Sequence, residues 1–123
     1  MTTERVFTKE DADAELADLR VLLPRVQEAR RGLIEASERI TEAVGTDGGG
    51  VAGSEWFRHQ QTLKTAVEDL ARRGILLRDP EVGLVDFPAE REGRRVFLCW
   101  RLDEESVAYF HEERGGFSGR QPL

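Results

Sequence analysis

The sequence predicts an α+β fold: an antiparallel helical hairpin packed on a small antiparallel β-meander of about three strands, with a C-terminal tail wrapping the sheet. Three observations predict it. Apolar residues recur at steps of three and four from Leu19 to Ala43, and an apolar stripe returns at Trp56, Leu63, Val67 and Leu70, as on one face of a helix. After Gly74 the period falls to two: Val96, Leu98, Trp100 and Leu102 alternate with Phe97, Cys99 and Arg101, as along a strand. Glycine and proline cluster between these segments, where the chain must turn.

The first helix is expected over 8–44. Thr8 is a good N-cap, and Asp11 stands where the acid of a capping box belongs. Leu19, Leu22, Val26, Ala29, Leu33, Ala36 and Ile40 form a heptad-like seam, while Arg31, Glu35 and Arg39 pair at i,i+4 on the other face. Pro24 removes one intrahelical hydrogen bond, so a kink near Arg20 or a restart at Pro24 is expected. The segment 45–53 carries five glycines and reads as a flexible loop. Ser54 then caps a second helix over 54–74, with Gly74 as its C-terminal stop and Arg72 and Arg73 favoured by the helix dipole. Its His59 reads as a solvated surface residue.

The segment 75–123 reads as the meander and tail. Ile75–Asp79 and Leu84–Phe87 are short strands around an Asp79-Pro80 and Gly83 turn. Glu90–Gly93 is a polar turn. Arg95–Leu102 is the clearest strand, apolar on both faces and therefore central. Residues 103–111 fit two states. Asp103 caps a short helix, the reading the crowded acids favour; alternatively Val107, Tyr109 and His111 alternate in a strand.

At 123 residues the chain fits a single domain, 1–123, with a modest core. A net charge of -6 argues against nucleic acid and anionic membranes, which need a basic face. Arg91, Arg94 and Arg95 lie close enough together for a local basic patch. The lone cysteine excludes an internal disulfide and an all-cysteine metal site. No apolar run is long enough to span a bilayer, and cytoplasmic residence is expected.

Four stretches, FTKEDA, RDPEVGLVDFPA, LCWRL and FHEERGGFSGRQPL, together resemble the bacterial domain of unknown function 2203 family. The resemblance spans nearly the whole chain and is strongest from Asp79 to Leu123. That family has no established activity. The resemblance implies that the tail belongs to the folded domain.

No catalytic signature is present. The candidate ligand or metal site is Asp86, His111, Glu112 and Arg120, supported by Trp100, Gly115, Gly116 and Phe117. His111 with an adjacent acid suits a metal ligand or general base, although HExxH spacing is missing; otherwise it hydrogen-bonds a backbone carbonyl. Asp86 interrupts an apolar strand. If both faces are covered it needs a partner, for which Arg78, Arg101 or Arg120 is available. Cys99 reads as a small inert hydrophobe. The tail glycines beside Arg120 could hold an anion; the structural alternative has Phe117 plugging the core and Arg120 paired to Asp86 or a helix acid. The leading functional expectation is a non-catalytic interaction module that forms a homodimer through its helices. The alternative is a small metal- or anion-binding protein or enzyme, with a divalent metal as candidate cofactor.

Overall fold

The computed structural model describes residues 4–43 and 50–123. Helix α1 spans Lys9–Ala43 and α2 Gly50–Arg72. They are followed by β1 (Leu76–Asp79), β2 (Leu84–Arg91), β3 (Arg94–Arg101), β4 (Tyr109–Glu112), a 3₁₀ turn at Phe117–Gly119 and β5 (Gln121–Pro122). The strands form one antiparallel sheet in the order β1-β2-β3-β4-β5. The fold is the expected α+β hairpin on a meander, with five strands in place of about three.

The capping box forms at the start of α1. The Asp11 N–H donates to Thr8 Oγ1 and the Thr8 N–H to Asp11 Oδ2, both at 3.0 Å. Helix α1 continues through Pro24 without restarting there. Leu23 and Val26 beside it are fully buried, and their burial offsets the one hydrogen bond lost. Helix α2 begins at Gly50, inside the segment expected as a loop; residues 45–49 of that segment lie outside the described residues. Pairing with α1, including an Arg39–Glu55 ion pair, outweighs the roughly 1 kcal/mol that each helical glycine costs. The helices touch closely: a Cβ on Gly32 would stand 2.4 Å from His59 Nε2. His59 therefore packs in the hairpin and is not simply solvated.

Helix α2 stops as its sequence dictates. Gly74 takes φ 78, its N–H donates to the Ala71 carbonyl at 3.0 Å and the Ile75 N–H to the Leu70 carbonyl at 3.0 Å. This is a Schellman closure, and its apolar pair Leu70 and Ile75 is buried in the core. Arg73 then binds Glu15 at 3.0 Å and Asp18 at 2.8 Å, fastening the end of α2 to the start of α1. The hairpin is thus antiparallel.

The inner face of the sheet carries Val85, Phe87, Ala89, Val96, Leu98, Trp100 and Phe110, which pack with Phe7, Leu16, Leu19, Leu23 and Leu70. Only the earlier turns of α1 meet the sheet; the later ones pack on α2. A two-residue turn, Glu92-Gly93, joins β2 and β3, with φ 54 and 74. Positive φ at both positions matches the twist of a tight hairpin.

Residues 103–108 are irregular and the strand β4 follows, so the short helix expected there does not form. Their polar groups find partners elsewhere. The Trp100 indole N–H donates to the Glu104 carbonyl at 3.0 Å, the Val107 N–H to Asp13 Oδ1 at 2.8 Å, and Arg20 to the Glu105 carbonyl at 2.7 Å. These bonds and the burial of Val107 replace what a helix would have supplied. No helix among the described residues is long and apolar enough to cross a membrane.

Two glycines test the turns. Gly83 and Gly93 have φ 69 and 74, but a Cβ at Gly83 would lie 2.7 Å from Leu102 Cβ, whereas one at Gly93 meets nothing. Gly93→Ala is expected to cost about 1 kcal/mol from left-handed strain alone. Gly83→Ala adds an overpacking penalty of about 1–2 kcal/mol. Urea unfolding of the two variants measures the difference; equal losses would contradict it.

Candidate functional site

The site lies on the outer face of the sheet, away from the helices. Alternation decides its membership. With Val85 and Phe87 facing inward, Asp86 faces outward on β2. Asp86 pairs with Cys99 on β3, and His111 on β4 pairs with Phe97. Asp86, Cys99 and His111 therefore share one patch of the outer face. All three are buried, at 2%, 1% and 3% exposure. Arg78 and Arg95 cover Phe97, their guanidinium carbons 5.1 and 5.2 Å from the ring centre, and the tail borders the patch.

Asp86 and His111 bond directly, Oδ2 to Nε2 at 2.9 Å, and Arg78 Nε donates to the same Oδ2 at 2.8 Å. His111 Nδ1 meets the Glu112 carbonyl oxygen at 2.7 Å. A carbonyl only accepts, so Nδ1 carries a hydrogen. The second carboxylate oxygen, Asp86 Oδ1, is buried and has no hydrogen-bond partner among the described residues. An unsatisfied buried oxygen is costly.

Burial, and then the negative charge of Asp86, push the Cys99 thiol up to about 12. At neutral pH it is a thiol, which excludes a free nucleophilic thiolate. The ligand atoms of Asp86, Cys99 and His111 all lie within 4.8 Å of one another, the one such cluster of metal-binding residue types among the described residues. They line a cavity of about 280 Å³ shared with Arg78, Arg114 and Phe117. Hollows of about 490 and 500 Å³ along α2 gather no comparable set of groups.

Of the residues singled out in the sequence, Asp86 and His111 meet. Glu112 does not join them: it sits opposite Val96 and pairs with Arg94 at 3.0 Å. Arg120 binds neither Asp86 nor a helix acid, because one Nη donates to both carboxylate oxygens of Glu104 at 2.7 Å. Phe117 is 44% exposed and plugs no core; it stacks under Arg101 and Arg120, and with Gly116 it lines the cavity. Gly115 sits against the His111 Cβ, and Trp100 belongs to the opposite, inner face. Cys99 is the member that sequence reasoning missed; Arg78 is one of the three partners expected for Asp86, and it is the one that binds. The register was the available signal: Cys99 shares the outer face with Phe97 and falls opposite Asp86 once the hairpin turn is fixed at Glu92-Gly93.

The Cys99 thiol has a consequence for alkaline stability. Its folded-state value lies above its ordinary 9.0. The protonated thiol therefore stabilises the fold fully below pH 9, and that contribution is lost as pH rises towards 12. Cys99→Ala is expected to flatten this part of the stability curve. Identical alkaline slopes for wild type and Cys99→Ala in urea titrations would show that the thiol is not buried in this way.

The model of the family described as uncharacterized conserved protein (DUF2203) matches residues 5–123, essentially the whole chain, and the protein belongs to that family. Searches of curated proteins and of solved structures each found no match.

Proposed function

We propose that this DUF2203 family member binds a zinc-class divalent metal through Asp86, Cys99 and His111. The observation that carries the reading is the convergence of three different donor types, buried and within 4.8 Å, beside a carboxylate oxygen that nothing else satisfies. Nitrogen, sulfur and oxygen donors together suit zinc or cobalt and not calcium or magnesium, which prefer oxygen alone. His111 is oriented for the task, since Nδ1–H is held by a backbone carbonyl and Nε2 faces the other two groups. Asp86 Oδ1 offers the carboxylate bond while Oδ2 keeps Arg78. Zinc bonds of about 2.0–2.3 Å place ligands roughly 3.5 Å apart, so the three side chains close by on the order of 1 Å. Three protein ligands leave a fourth position towards the cavity, as at sites where a metal binds water or substrate. A single thiol ligand works only where it stays reduced, which supports cytoplasmic residence.

Cobalt(II) tests this directly. The protein is expected to bind it with a dissociation constant on the order of micromolar or below, giving a thiolate charge-transfer band. Cys99→Ser should lose that band and His111→Ala should lose binding. Because the metal displaces the Cys99 thiol proton, affinity should rise with pH. Absence of binding at millimolar cobalt, or a spectrum indifferent to Cys99→Ser, would overturn the reading.

A second reading, self-association through the hairpin, rests on a separate observation. Ile34 and Phe57, on the part of the hairpin that the sheet does not reach, are 49% and 58% exposed, while Leu33 and Ile40 are only half-buried. A second copy would cover this leftover apolar seam as a coiled-coil-like homodimer. Light scattering at micromolar concentration is expected to give a dimer mass that falls to monomer in an Ile34→Glu/Phe57→Glu variant. A monomeric wild type would end this reading.

A further inference from the structure

The cavity above the Asp86–Cys99–His111 cluster is lined by two arginines, Arg78 and Arg114, with donors to spare. Arg78 spends only Nε on Asp86, and no described residue holds its terminal Nη groups. Arg114 lines the same cavity, and no hydrogen bond or ion pair ties it to a described residue. The other acid in the lining, Glu113, is engaged by Arg95 Nε at 3.2 Å. A divalent metal is balanced by the Asp86 carboxylate and the Cys99 thiolate, so it leaves the two guanidinium groups without compensating charge. Leu84 and Phe117 supply apolar wall in the same cavity of about 280 Å³, which limits an occupant to a few heavy atoms beyond its head group.

We propose that this cavity binds a small carboxylate, with its oxygens between the metal's fourth position and the Arg78 and Arg114 guanidinium groups, and its short hydrocarbon part against Leu84 and Phe117. The inference rests on the metal reading and names the ligand class for that site. Guanidinium forks match a planar carboxylate through paired N–H donors. The apolar wall separates this class from inorganic phosphate, which gains nothing from Leu84 or Phe117.

The experiment uses cobalt-loaded protein titrated with butyrate, acetate and inorganic phosphate, read by the cobalt absorption bands. Loading is verified first in the same sample. Butyrate is expected to shift the bands saturably and to bind more tightly than acetate or phosphate. Arg114→Gln should weaken butyrate about tenfold, the loss expected for one charge-assisted contact, and Leu84→Ser should reduce the preference for butyrate over acetate. Cobalt bound with bands that no anion shifts would overturn the inference and leave the metal reading standing. Tighter binding of phosphate than of butyrate would overturn the carboxylate assignment. Failure to load cobalt would remove both.

Discussion

Eight consecutive residue pairs join β2 and β3, from Leu84–Arg101 to Arg91–Arg94, and the positions of the core and the site both follow from that ladder. A strand has period two, so one register fixes both faces at once. Val85, Phe87 and Ala89 opposite Trp100, Leu98 and Val96 create an apolar surface that α1 and α2 cover. The same register places Asp86 opposite Cys99 on the far side. A slip of one residue would put the carboxylate among the helices and Phe87 outside. The left-handed Glu92-Gly93 turn, with no room for slack in a two-residue loop, holds the register.

Burying Asp86 on the outer face has a cost that the fold meets only in part. Oδ2 accepts from Arg78 and also meets His111 Nε2; Oδ1 has no hydrogen-bond partner among the described residues. Apolar residues of similar volume would pack here without this deficit, and buried ion pairs are often less stabilising than such replacements. The inner face of the same strands is apolar from Val85 to Ala89 and from Val96 to Trp100, with Arg91, Arg94 and Glu112 only at its end. The proposed metal site would account for a buried acid, imidazole and thiol on the other face, with one oxygen unsatisfied.

The helices, their capping box, the Gly74 stop and the central position of β3 were legible in the sequence because each is set by local pattern. Period, cap and turn residues act within a few positions. The fourth strand, Tyr109–Glu112, was legible only as the second of two readings of residues 103–111, and the fifth was not legible. Residues 103–108 look helical by composition, but Asp13, Arg20 and Trp100 take up their polar groups, and those partners are distant in sequence. Asp86 and His111 were identified because a polar residue in an apolar strand is conspicuous. Glu112 was chosen by adjacency to His111, which in a strand guarantees the opposite face. Arg120 was assigned to Asp86 because the Glu104 turn that captures it could not be foreseen. Cys99 was set aside on general grounds, and only the register across three strands gives it neighbours.

Residue Glu104 then ties the tail to the rest of the molecule. Its carboxylate binds Arg120 and the Arg101 N–H, and its carbonyl accepts the Trp100 indole. Beyond Arg120, β5 pairs with β4, and the Leu123 N–H reaches the Ala108 carbonyl at 2.9 Å. The segment between β4 and this anchor has few choices left. It leaves β4 at Glu112, turns at Gly116 with φ 59, and brings Arg114 and Phe117 to the cavity edge. The three donor groups sit on paired strands, which hold position closely; the cationic and apolar wall sits on a loop pinned at both ends. Both parts of the proposed site are therefore held by the sheet and by the Glu104 anchor.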